Sequence, residues 1–317
     1  FVPTIFFSLA LVVSLMYRVG HPVSAEVVRR VVPEFCLWIC GLTLLYLGGI
    51  KDDLVGLRYR TKFLIQILAA SFLPLSGLWV HNWYGLFGIH DVSPWLGMPL
   101  TILMVVFIVN AVNLIDGIDG LASGLSSVAL IFLGGLFIYN QTWLYAMTAF
   151  STLGVLLPFF YYNVFGRVER GKKIFMGDTG SQTLGYILSF LSIRYCACPA
   201  DGMPYPDGTI VIAFSTLIVP VFDVFRVMWV RARDHRHLFS PDRNHIHHKF
   251  LAMGIGPRRA MASILLISCL FICLNLCLIP YVNSTLILLL DIALWTILNL
   301  WFDRVRDKRR ARSEAGE

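Results

Sequence analysis

Five aspartates in this chain stand in patterns that suit metal and phosphate chemistry. Asp52 and Asp53 are side by side in GGIKDDLVGL, Asp116 and Asp119 lie three apart in NAVNLIDGIDGLASG, and Asp178 is in IFMGDTGS. Adjacent carboxylates repel one another, and a divalent cation is the natural partner for several at once. Mg²⁺ is normally held by a few hard oxygen donors completed by water and substrate phosphate. On a helix end, Asp116 and Asp119 would share a face. Gly117, Gly120, Gly177 and Gly180 keep both boundaries open to close backbone approach. Thr179 and Ser181 are placed to cap a helix after Asp178, and its amino end would suit a phosphate.

A second cluster lies in RARDHRHLFSPDRNHIHHKF, which holds five of the eight histidines. His245, His247 and His248, with Arg243 and Lys249, form a cationic or metal-binding patch. His-x-His spacing admits zinc, yet no Cys or carboxylate completes four ligands at zinc-finger distances. Imidazoles beside arginine are well suited to grip a pyrophosphate and stabilise charge on it. Together these residues predict metal-assisted phosphoryl transfer.

The elements that must position them are membrane spans. The 317 residues are 57% apolar and 14% charged, against roughly one-quarter charged in an average soluble domain. Ten apolar runs have about the length a bilayer core asks of a helix: 1–17, 35–50, 63–80, 96–115, 120–138, 143–162, 181–198, 209–230, 260–280 and 283–302. The first is read as a true span, because it lacks the basic leader and small-residue cleavage site of a signal peptide. The expectation is one all-α polytopic domain, 1–302, with both termini cytoplasmic. Its cytoplasmic loops would be 51–62, 116–119, 163–180 and 231–259, followed by a basic tail, 303–317. Those segments hold twenty-one Lys and Arg; the opposite loops hold three, Arg18, Arg29 and Arg30. This is the positive-inside bias. It accounts for the net charge of +7 together with anionic lipid, so nucleic acid is not expected as a partner.

On this topology all five aspartates fall at the cytoplasmic boundary, from three separate hairpins. Any one alone could be a plain interfacial cap; together they form a constellation. Asp223 could be a structural partner of Arg226 three residues on, or a site residue. Asp291 lies inside the last span without a nearby partner. Cys36 and Cys40, like Cys269, Cys273 and Cys277, recur four apart in apolar helices and read as core packing. Cys196 and Cys198 suit neither a zinc site nor a ready disulfide. An ion-coupled transporter would gather its acids near the midplane. A CDP-alcohol phosphotransferase would need Arg shortly after Asp119-Gly120, where LASGLSS has none.

GGIKDDLVGL, NLIDGIDGLASG, FMGDTGS and NHIHHKF, in this order and between spans, resemble the polyprenyl-phosphate N-acetylhexosamine-1-phosphate transferase superfamily. His-Ile-His-His resembles its WecA/TagO-like branch; MraY-like members, which take UDP-MurNAc-pentapeptide, usually carry three consecutive His and then an acid. The resemblance implies an Mg²⁺-dependent enzyme (Mn²⁺ as a substitute) of the bacterial inner membrane. It would move GlcNAc-1-phosphate, or that of another N-acetylhexosamine, from its UDP-sugar to undecaprenyl phosphate and release UMP, as a homodimer or alone. Specificity for another UDP-amino-sugar stays open. By position, Asp178 would be the principal metal ligand, with Asp52 and Asp53 beside it. Asp52, Asp53 and Asp116 would be catalytic. Asn113, Asp119, Lys62, Arg243, His245, His247 and His248 would bind substrate. Asn163 resembles a nucleotide-binding Asn, although GRVERGK separates it from Asp178. Family members usually have eleven spans, so the resemblance also implies that the first helix is missing here.

Overall fold

The computed structural model describes residues 2–7, 10, 14, 25–197, 207–235 and 244–314. Most of the expected first span, part of the loop 231–259 including Arg243, Cys198 and the last three residues lie outside the described residues. The elements are α1 (Ala25–Val55), α2 (Tyr59–Leu75), a hairpin of β1 (Asn82–Leu86) and β2 (Ile89–Asp91), α3 (Pro94–Ile115), α4 (Leu121–Tyr139), α5 (Trp143–Phe165), α6 (Gly177–Ala197), α7 (Thr209–Ser215), α8 (Ile218–Arg233), α9 (Ile246–Ala252), α10 (Pro257–Leu278) and α11 (Ser284–Glu314). Among the described residues the protein is an all-α membrane protein apart from that one antiparallel hairpin.

Among the described residues, six helices are long and apolar enough to cross a bilayer: α1 from Val31, α3, α4, α5, α10 and α11 to Arg309. The broken pair α7–α8 makes a seventh if it counts as one span. The run 209–230 is therefore not one continuous helix; it bends by 85°. Pro220 explains the place of the break: its ring excludes the carbonyl four residues back, which is that of Thr216, between the two helices. Helix α2 falls short in length at 17 residues, and α6 falls short in apolarity.

The polarity of α6 has a packing reason. From Gly180 to Ala197 it is buried except at Arg194, packed against α1 and α3, so it faces protein rather than lipid. Its hydroxyls bond back to the previous turn, Ser181 to Gly177 O (2.8 Å), Thr183 to Thr179 O (2.7 Å) and Ser189 to Gly185 O (2.7 Å). Those three hydroxyls are thus satisfied without water. Small residues let the backbones meet: a Cβ at Gly185 would lie 2.8 Å from Val109 Cα, and one at Gly49 2.5 Å from Thr179 Cα. Gly49→Ala is accordingly expected to destabilise the fold by about 1–3 kcal/mol through overpacking. Gly154→Ala, where an added Cβ meets nothing within 4 Å, should hold or raise the thermal midpoint in detergent. Equal midpoints for the two variants would remove the close α1–α6 contact from the account.

Polar side chains also tie the bundle together. Gln66 of α2 donates to Gln182 of α6 (3.2 Å), and Asn110 of α3 donates to Gln66 (2.6 Å). Arg194 pairs with Glu34 (3.3 Å) and lies over the Tyr145 ring at 4.5 Å, while Tyr145 donates to Glu34 (3.1 Å). Asp291 has the partner its sequence neighbours do not provide: Asn275 Nδ2 donates to it (2.9 Å) and to Ser215 (3.0 Å) at the end of α7.

Candidate active site

The aspartates converge because the ends of α1, α2, α3 and α6 meet at one end of the bundle. Helix α1 runs through Val55, so the expected loop 51–62 is helical at its start and Asp52 and Asp53 lie on the last turn. From there the two neighbours do different things. Asp53 turns to the amino end of α6, accepting from Asp178 N (2.7 Å), Thr179 N (3.1 Å) and Thr179 Oγ1 (2.5 Å). A carboxylate there satisfies amides that have no partner within the helix and meets the positive end of its dipole. Asp53 thus builds the site by holding Asp178 in place.

Asp52 faces the other way. It accepts from Leu57 N (2.7 Å) and pairs with Lys62 Nζ at 2.9 Å. The same ammonium lies 3.0 Å from Asp178 Oδ1, and Asn113 donates to that oxygen and to Ser181 Oγ (2.8 Å). Lys62 is therefore the cation at the junction of two carboxylates rather than a plain interfacial lysine. Asp116, at the end of α3, is pushed up to about 6 by burial, with the charges of Asp119 and Asp178 adding to the shift. Among the described residues no three His, Cys, Asp or Glu side chains converge closely enough to hold a metal ion by themselves. Mg²⁺ commonly rests on one or two carboxylates plus water and phosphate. The junction of Asp52 and Asp178, with Asp116 destabilised as an anion nearby, fits that kind of site.

Asp119 pairs with Lys173 at 2.6 Å, a residue the motif reading passed over. Asn163 is 5% exposed and spends both ends of its amide on backbone. Gly120 N donates to its oxygen (2.6 Å), and its nitrogen donates to Ile174 O (2.8 Å). That is a brace between the 116–120 turn and the segment before α6. The spacing that separates it from Asp178 has a structural counterpart here.

The histidines arrive on the short helix α9. Asp223 of α8, with no exposed surface, accepts from His245 Nδ1 (2.8 Å) and Ile246 N (3.1 Å), and Arg226 pairs with it at 2.9 Å. The rings of His245 and His247 are parallel, 5.9 Å apart, and His248 follows at 4.2 Å from His247. Lys249 leaves the expected cationic patch: it is 2% exposed and turns to Asn299 (3.1 Å) and Asp303 (2.9 Å) on α11. Burial, with Arg226 adding to it, lowers its pKa from the usual lysine value.

His247 is 1% exposed, and neither ring nitrogen has a hydrogen-bond partner. A Cβ at Gly117 would overlap its ring, so that glycine is what lets α9 meet the Asp116 turn. Burial depresses the His247 pKa to about 4, with His248 and His245 adding to the effect. The folded protein then binds this proton more weakly than the unfolded chain does. Stability is present above the unfolded value and is lost as pH falls from about 6.5 towards 4, by at most about 3 kcal/mol. The thermal midpoint in detergent should fall across that window, and His247→Gln should remove that part of the slope. An identical slope in the variant would assign the proton to another group.

Lys62 and Asn113 of the carboxylate cluster and the three histidines line one groove of about 570 Å³. Lys62, Asn113, Arg231, His245, His247 and His248 form its polar part, while Phe63, Leu103, Val106, Phe107, Val227 and Met228 form apolar walls. Such a lining combines what the tail and the charged head of an amphiphile would each need.

Comparison with known proteins gives the family. A probable undecaprenyl-phosphate N-acetylglucosaminyl 1-phosphate transferase of Bacillus subtilis (strain 168) is 34% identical over 239 residues, 73% of this chain and 62% of that protein. Undecaprenyl-phosphate alpha-N-acetylglucosaminyl 1-phosphate transferases of Yersinia pestis and Escherichia coli (strain K12) are 27% and 28% identical over 77% of this chain and 66% and 65% of their own lengths. The chain thus matches somewhat under two thirds of each relative. The sequence model of glycosyl transferase family 4 matches residues 35–196, the region that carries the five aspartates. The motifs, the convergence of their carboxylates and this match make the chain a member of glycosyl transferase family 4, within the polyprenyl-phosphate hexosamine-1-phosphate transferase superfamily.

Proposed function

We propose that this chain transfers GlcNAc-1-phosphate from UDP-GlcNAc to undecaprenyl phosphate, leaving a lipid-diphosphate-sugar and UMP. The observation that carries this reading is the junction of Asp52, Asp178, Asn113 and Lys62, of which Asn113 and Lys62 also line a groove with apolar walls and three histidines. The relatives' names supply the acceptor and the sugar; the His-Ile-His-His form favours GlcNAc over UDP-MurNAc-pentapeptide. The Lys and Arg bias supports a cytoplasmic active site and cytoplasmic termini in a bacterial inner membrane. Nine spans would follow if α2, α6 and α7–α8 each cross, and the expected run 1–17 would make the tenth.

In this reading the prenyl tail lies along Phe63, Leu103, Val106 and Phe107, which brings its phosphate to Lys62. A phosphate oxygen attacks the sugar-bearing phosphorus in line; that new P–O bond forms as the bond to UMP breaks. Asp52 orients the lipid phosphate through Lys62 or accepts its proton, and the histidines hold the donor's diphosphate. Asp178 and Asp52 would hold Mg²⁺, with Mn²⁺ as a substitute, and its charge would offset the negative charge that gathers on the diphosphate.

The test uses membranes holding the full chain, undecaprenyl phosphate, Mg²⁺ and radiolabelled UDP-GlcNAc. Label should enter the lipid phase with matching UMP release, and EDTA should stop it. Label entering only from a different UDP-sugar would correct the donor. No label from any UDP-amino-sugar would end the transferase reading.

A further inference from the structure

His245 is held by groups that lie outside the four motifs. Asp223 sits within α8, fully buried, and meets three donors: His245 Nδ1, Ile246 N and Arg226 Nη2. Arg226 also donates to Asn244 O, so residues 244–246 are clamped by two side chains of one helix. An ionised carboxylate can only accept, so the imidazole nitrogen facing it must carry the proton. Nδ1 is thereby spoken for. Any contact of this ring with a ligand in the groove has to be made through Nε2. Burying such a cluster is costly unless every charge is paired, and Arg226 provides the counter-charge that lets Asp223 stay ionised.

The neighbouring ring shows the contrast. His247 has no partner on either nitrogen, so nothing in the structure selects its tautomer. Of the two parallel rings, only His245 is held by a buried carboxylate.

We propose that Asp223 is a positioning residue for His245, holding it as the Nδ1–H form so that Nε2 is the atom presented to the donor's diphosphate. The assignment rests on the transferase reading of the groove. Asp223 makes and breaks no bond in the reaction; it acts through the imidazole. An Nε2–H on the same ring would donate to a phosphate oxygen that is gaining charge.

A purely structural clamp would make the same contacts, so the test must separate the two. Asp223→Asn, His245→Gln and the double variant, each as the full chain in nanodiscs, are compared for kcat and for KM of UDP-GlcNAc. In parallel, ¹⁵N spectra of histidine-labelled protein report the tautomer. Asp223→Asn should lower kcat about 100-fold, as losing the partner that orients a ligating histidine does, with little change in KM. Because the two residues act as a unit, the double variant should be no worse than His245→Gln alone. The resonance that vanishes in His245→Gln should show a protonated Nδ1 in the wild type and lose that signature in Asp223→Asn. Losses that multiply in the double variant, or an unprotonated Nδ1 in the wild type, would overturn the proposal. A wild-type protein that transfers nothing fails the transferase reading, while the spectra still decide the tautomer. If Asp223→Asn does not fold, the wild-type spectrum against that of His245→Gln decides it.

Discussion

Asp178→Asn is expected to lower sugar-phosphate transfer by about a thousand-fold or more, roughly 4 kcal/mol of barrier, while the thermal midpoint stays near that of the wild type. The carboxylate is where the site converges. Lys62 reaches it at 3.0 Å, Asn113 donates to the same oxygen, and its own backbone amide is held by Asp53. Asn keeps the size and the backbone, so the Asp53 contacts with residues 178 and 179 survive and α6 stays seated. What disappears is the negative charge that would bind a divalent cation and balance Lys62. Losses of that size are typical when a preorganised electrostatic partner is removed from a site that excludes water. Retention of more than about a tenth of wild-type kcat/KM would show that Asp178 is not the principal metal ligand. Collapse of the thermal transition would show that its charge serves the fold.

Lys62→Gln is the second large effect, about a hundred-fold in kcat/KM, with Lys62→Arg recovering only part. The ammonium lies between Asp52 (2.9 Å) and Asp178 (3.0 Å) and also lines the groove. Removing it leaves two carboxylates without their shared cation, and removing one member of a part-buried ion pair is costly for the member left behind. It also takes away the positive charge closest to where the lipid phosphate would dock. A planar guanidinium offers a fork of donors rather than a compact point charge, so it cannot serve both carboxylates from the same place. Activity within a few-fold of wild type in Lys62→Gln would reduce this lysine to an ordinary surface neighbour of Asp52.

Much of the site was legible because its signals are local. Asp-Asp, Asn-x-x-Asp-x-x-Asp, Gly-Asp-Thr-Gly and His-x-His-His are read within a few residues, and hydropathy places each at a span end. Less legible was what each side chain would meet. Asp52 and Asp53 are adjacent, yet one faces Lys62 and the other the amino end of α6, because successive residues on a helix point about 100° apart. Asn163 has the residue type for nucleotide binding, and its amide also braces two backbone segments, Gly120 N and Ile174 O, that no local pattern links. Lys249 directly follows the His cluster and turns to Asp303, which no local pattern marks. Asp223 was visible as an acid near Arg226; that it also holds His245, twenty-two residues away, was not.

Helix α6 misleads hydropathy in the opposite direction. The run 181–198 reads as a span like the others, yet its Ser, Thr, Gln and Gly belong to a helix buried among its neighbours, where those helices rather than lipid set the composition it needs.

From the residues alone came the membrane, the helical class, the depth of the five aspartates and the kind of chemistry they suit. Each of these depends on side chains close in sequence or on how a helix partitions between water and lipid, and composition carries that directly. The tertiary structure decided the pairings: Asp53 with residues 178 and 179, Lys62 with Asp52 and Asp178, Lys173 with Asp119, and Asp223 with His245. Most of those join groups on different helices, and lateral packing in a bilayer is set by close contact at small residues such as Gly49, Gly117 and Gly185. Hydropathy fixes how deep a helix sits, but it carries no information about which neighbour stands beside it.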